Sequence, residues 1–132
     1  MATVDTVEYD RASPEVKAVY DDIMATRKID RVPDFWRTVA NHPPTLARLW
    51  EELKAVMAPG RLDPLTKEMI AIAVSATNSC AYCVNSHTAA AMKLGMDREM
   101  LGELMAVVGL FNKTNKLADG YQIAPDVFPP KE

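Results

Sequence analysis

Twice in this chain a helix-capping residue stands directly before a proline, at Ser13-Pro14 and at Asp63-Pro64. Each pair marks a helix start. A serine or aspartate oxygen can accept one of the amide hydrogens that a first helical turn leaves unpaired. The proline that follows has no amide hydrogen to leave stranded, and its φ is already close to the helical value. Asp97 repeats the cap without the proline, and Met96 and Leu101 flank it at the spacing of a hydrophobic staple. Strand signals, meanwhile, are nearly absent. A chain punctuated in this way is confined to helices.

The segments between these marks carry helical periodicity. From Pro14, the residues Val16, Tyr20, Ile23 and Met24 recur at helix spacing to about Lys28. A short helix is expected over Asp34 to Asn41, with Phe35, Trp36 and Val39 on its apolar side. Pro43-Pro44 is read as a break, followed by a helix to about Met57 whose Leu46, Leu49, Trp50, Leu53, Val56 and Met57 follow the i, i+3, i+4, i+7 template. The helix from Pro64 is expected to end near Ala76. Thr77-Asn78-Ser79 is expected to cap the next helix, which stops at Gly95, a residue suited to the position after a helix end. A last helix runs from Asp97 through Leu101, Leu104, Met105, Val108 and Phe111 to about Gly120, and a proline-rich tail from Ile123 is irregular. The expectation is an all-α fold of about six helices in one domain over residues 1–132, with a core of about 13–120. A chain of 132 residues suits one hydrophobic core. The stretch Met69 to Ala76 is so apolar that it calls for more cover than a monomer supplies, so a homo-oligomer is expected.

Composition removes several classes of function. Net charge is −3 with acids and bases interspersed, and no basic stripe suggests nucleic acid. The first residues, MATVDTVEYDRAS, show neither the basic nor the apolar region of a secretory signal, and no apolar run approaches the roughly 20 residues of a membrane span. The expected location is the cytoplasm, without membrane contact.

Two cysteines alone cannot build a disulfide-dense secreted scaffold; as Cys80-Ala81-Tyr82-Cys83 they read as redox or metal chemistry. His87 follows Cys83 by four positions. If Cys80 opens a helix, Cys80, Cys83 and His87 share one face, and the two thiols can cycle between dithiol and disulfide. A thiol of pKa about 8.5 is only a few per cent thiolate at neutral pH. Lowering it by about 1.5 units needs roughly 2 kcal/mol of preferential thiolate stabilisation. The helix N-terminus, the second thiol and His87 are the available sources. Two alternatives stand beside this one. The cysteines could be small buried hydrophobes. They could also join His87 as three zinc ligands, although all three would come from under two turns of one helix, with no second C-x-x-C to complete a structural site. Glu68 interrupts the apolar stripe of Leu65, Ile72 and Ala76. It is either a helix-edge acid that reaches water or a partner that orients His87 and raises its basicity across two antiparallel helices. His42, before Pro43-Pro44, is read as a packing or capping histidine.

Glu68, eleven intervening residues, Cys80-x-x-Cys83, three residues and His87 together resemble the E-x11-C-x-x-C-x3-H motif of the AhpD-like alkylhydroperoxidases in the carboxymuconolactone decarboxylase superfamily. Arg61-Leu62-Asp63-Pro64 and Val84-Asn85-Ser86 extend the likeness, which covers roughly Val32 to Val108. The resemblance implies an all-helical fold that assembles as trimers or hexamers, and a cysteine peroxidase acting on hydroperoxides. It implies Cys83 as peroxidatic thiolate, Cys80 as resolving thiol, and His87 with Glu68 as proton relay. An external dithiol, lipoyl-bearing or thioredoxin-like, would reset the resulting disulfide, and no metal or organic cofactor is required. Some branches place a second histidine between the cysteines, where this chain has Tyr82, a weaker proton carrier at neutral pH. Two other functions compete. One is a redox-responsive binding or assembly protein whose disulfide is a switch. The other is decarboxylase chemistry, a branch of the superfamily that does not rely on a C-x-x-C.

Overall fold

A computed structural model describes residues 1–131 of the chain. Six α-helices follow a 3-10 turn at Tyr9–Arg11: α1 (Pro14–Arg27), α2 (Asp34–Val39), α3 (Pro43–Met57), α4 (Pro64–Thr77), α5 (Ala81–Lys93) and α6 (Arg98–Gly120), with no strand among the described residues. The expected all-α class holds. By internal packing the chain divides into two units, Met1–Ala58 and Pro59–Glu132.

The helix starts follow their sequence marks. Ser13 Oγ accepts the Val16 amide at 3.3 Å, Asp63 Oδ1 the Thr66 amide at 2.9 Å, and Asp97 Oδ1 the Met100 amide at 2.8 Å. The expected break between helices falls at Ala40 to His42, just before Pro43-Pro44. The two prolines form the first turn of α3 behind His42, because neither needs the intrahelical hydrogen bond that a first-turn amide lacks anyway. Gly95 closes α5 as expected, at φ +104°. The Met96 amide bonds to the Ala91 carbonyl and the Gly95 amide to Met92, so both orphan carbonyls are satisfied in a Schellman arrangement.

In the first unit, Tyr20 and Ile23 of α1, Trp36 of α2 and Leu46 and Trp50 of α3 form the core. The rings of Trp36 and Trp50 meet edge to face, 5.3 Å between centroids. Buried Trp50 donates its indole hydrogen to Asp22 at 2.7 Å, and Lys54 pairs with the same carboxylate at 2.6 Å.

In the second unit, α4 packs along α5 and against α6. Ile72, Ala91 and Met96 are buried there, with Leu65, Met69, Met100, Leu101, Leu104 and Met105 packed around them. Met96 and Leu101 thus share the core that their staple spacing predicts. Ile70 and Val74 of the apolar α4 run face outward, as do Val107, Leu110 and Phe111 of α6.

Candidate functional site

Glu68 stands one turn before the buried Ile72 on α4, so the helix face that enters the core carries the carboxylate with it. On α5, His87 meets it: Nδ1 lies 2.7 Å from Glu68 Oε2. The two side chains keep only 25% and 15% of their exposure, so water competes weakly for the contact. An ionised carboxylate can only accept, so Nδ1 carries the hydrogen. In a neutral ring, Nε2 is then left with its lone pair, ready to take a proton. Of the two expectations for Glu68, the structure gives the partnered geometry and not the solvent-reaching one.

The cysteines stand one turn before His87, at the start of the same helix. Cys80 and Cys83 are joined in a disulfide, their Cα atoms 5.3 Å apart. Cys80 is the N-cap residue and α5 itself begins at Ala81. Its Sγ accepts the Cys83 amide at 3.3 Å. The expectation that Thr77-Asn78-Ser79 would cap α5 is therefore corrected. Thr77 is the last residue of α4, Asn78 is its C-cap, and Ser79 turns the chain with a left-handed φ of +59°. A serine has no marked preference for that conformation, so nothing in the sequence foretold the turn. It brings the Cys80 amide back onto the Ser75 carbonyl at 2.9 Å, which ties the disulfide to α4. Buried Ser75 was a residue of no apparent role in the sequence; its position in an apolar helical run was the available sign.

Cys80 also borders an open cavity of about 290 Å³ in this unit, together with Ser75, Ser79, Val84 and Asn85; Cys83 is not part of that wall. No charged side chain lines it. Tyr82, in the position between the cysteines, is exposed. His42 lies in the first unit, exposed at the N-cap position of α3, with Nδ1 2.7 Å from Thr45 Oγ1. Among the described residues, no three His, Cys, Asp or Glu side chains converge as a candidate metal-ligand set.

The arrangement is a two-electron redox pair on a helix start, with a carboxylate-backed imidazole farther along that helix. The family model of the carboxymuconolactone decarboxylase family matches residues 43–126. The crystal structure of the alkylhydroperoxidase AhpD core from Rhodospirillum rubrum is 50% identical, superposes with a TM-score of 0.90, and covers 96% of this chain and 95% of that one. Alkyl hydroperoxide reductase AhpD of Streptomyces coelicolor is 29% identical over 101 residues, which are 74% of this chain and 55% of that protein. An uncharacterised protein of the cox locus of Paracoccus denitrificans is 37% identical over 54 residues, 41% of this chain and 49% of that one. The chain thus spans about half the length of the curated relatives it matches. The matched helices, the C-x-x-C and the near-complete superposition together make this chain a member of the carboxymuconolactone decarboxylase family, of its AhpD-like kind.

Proposed function

We propose that this chain is a thiol-dependent peroxidase that reduces hydroperoxides by a dithiol–disulfide cycle at Cys80 and Cys83. The observation that carries the proposal is the 2.7 Å contact of Glu68 on α4 with His87, which stands on the helix that bears the disulfide. A structural disulfide needs no such base. A cycling one does, because each turn moves protons off thiols and onto oxygen leaving groups.

In the proposed cycle His87 accepts the Cys83 proton and Glu68 stabilises the imidazolium. The Cys83 thiolate attacks the terminal peroxide oxygen and the O–O bond breaks. The alcohol leaves after receiving a proton from His87. The sulfenic acid formed on Cys83 condenses with Cys80, releasing water and closing the disulfide. An external dithiol, lipoyl-bearing or thioredoxin-like, restores both thiols by exchange. The same proposal extends to a trimer or hexamer working in the cytoplasm.

The test is stopped-flow loss of thiols in the reduced chain with hydrogen peroxide and with an organic peroxide, followed by turnover with dithiothreitol. Rapid thiol loss with sustained peroxide consumption is expected. Thiol loss no faster than that of a free thiol would overturn the proposal. Fast disulfide closure without turnover would point instead to a redox switch.

A further inference from the structure

The two sulfurs of the disulfide differ in what surrounds them. Cys80 stands in the wall of the 290 Å³ cavity, whose remaining borders are small and uncharged; Cys83 does not. From the place of Cys80 in this wall we infer that the external reductant enters at Cys80, so that a mixed disulfide forms on Cys80 and Cys83 is the sulfur first released.

This step rests on the proposed cycle and assigns its reductive half to particular atoms. The sulfur of an incoming thiolate bonds to Cys80 Sγ. The Cys80–Cys83 bond breaks, its electron pair leaves on Cys83 Sγ, and that thiolate takes up a proton. The second thiolate of the same dithiol then attacks its own sulfur in the mixed disulfide. The dithiol departs as a disulfide, oxidised by two electrons, and Cys80 leaves as a thiolate.

Access favours this order. Attack on a disulfide needs a thiolate in line with the S–S bond, so access selects the sulfur. The cavity gives that access at Cys80, and its uncharged border repels no thiolate.

The experiment uses the oxidised full chain. It is mixed with cysteamine, a monothiol that cannot complete the second exchange, then trapped with N-ethylmaleimide and acid. Tandem mass spectrometry of the peptide holding both cysteines locates each group. The expected result is cysteamine on Cys80 and maleimide on Cys83, in about tenfold excess over the reverse pattern. Equal or reversed labelling would overturn the inference. A second measurement uses Cys83→Ser and Cys80→Ser, each charged with thionitrobenzoate on its remaining cysteine. Dithiothreitol should release the chromophore about tenfold faster from Cys80 than from Cys83, and equal rates would count against Cys80. Neither readout involves peroxide. A chain that labels at Cys80 but consumes no peroxide would therefore refute the peroxidase proposal and leave this inference standing.

Discussion

Glu68 is a carboxylate on a stripe otherwise made of Leu65 and Ile72, and in the proposed cycle its contact with His87 gives that placement a chemical purpose. Removing the charge while keeping the shape tests it. In Glu68→Gln the imidazole loses the partner that holds its tautomer and stabilises its protonated form. The reacting thiol should then titrate closer to about 8.5, and peroxide reduction at neutral pH should fall roughly ten- to a hundredfold. His87→Ala should fall at least as far. The double variant should be no worse than either single one, because the pair acts as a unit. A pH–rate profile of iodoacetamide alkylation for the four proteins checks this; a thiol pKa unmoved in Glu68→Gln would reject the relay.

The helices show why some local signals are reliable. The end of α5 is the clearest case, where Gly95 at φ +104° allows two amides to close on Met92 and Ala91. A Cβ added there meets nothing within 4 Å, so any loss in Gly95→Ala comes from the backbone alone. The expected loss is about 1–2 kcal/mol, read from urea denaturation with an unchanged slope. Caps and stops of this kind involve residues within one turn of each other, which is why Ser13, Asp63, Gly95 and Asp97 were legible in the sequence. The start of α5 was not. Cys80 caps its helix with a sulfur and Ser79 adopts a conformation that serine seldom takes; the return of the Cys80 amide to Ser75 on α4 holds both. Pro43-Pro44 marked the boundary between α2 and α3, but not on which side of it the prolines lie. Proline ends a helix that precedes it and begins one that follows, and the sequence pattern alone does not say which.

Across the chain, buried apolar mass is uneven. The first unit buries two tryptophans, Tyr20, Ile23 and Leu46, whereas the second buries only Ile72, Ala91 and Met96 among its described hydrophobic residues. The second unit leaves Ile70, Val74, Val107, Leu110 and Phe111 each about half exposed. Apolar surface of this extent is usually covered, so light scattering at micromolar concentration should return a trimer or hexamer mass. A monomer mass would overturn the proposed assembly. Stability should also respond to alkali through the first unit. Tyr20 is fully buried and donates its hydroxyl to the Val7 carbonyl at 2.8 Å; burial pushes its pKa from 10.0 up to about 12. A folded pKa above the unfolded one means that this contribution is complete below about pH 10 and is lost as pH rises toward about 12. Denaturation midpoints measured across that window should fall, and Tyr20→Phe should remove this part of the fall.

On its residues alone the sequence left Glu68 open between water and His87, and the motif resemblance is what paired them as an expectation. By itself it determined the helical class and the limits of the six helices to within about two residues. These follow from spacing along a single chain, where 3.6 residues per turn converts sequence distance into direction. Only the tertiary structure decided that Glu68 turns to His87 instead of to water, because the 2.7 Å contact depends on how α4 and α5 lie against each other. It also decided that Cys80, and not Cys83, opens on the small uncharged cavity, since that wall is assembled from Ser75 and Ser79 on one side of a tight turn and Val84 and Asn85 on the other. Contacts between elements are set by packing, and packing is a property of surfaces that the order of residues does not bring together until the chain has folded.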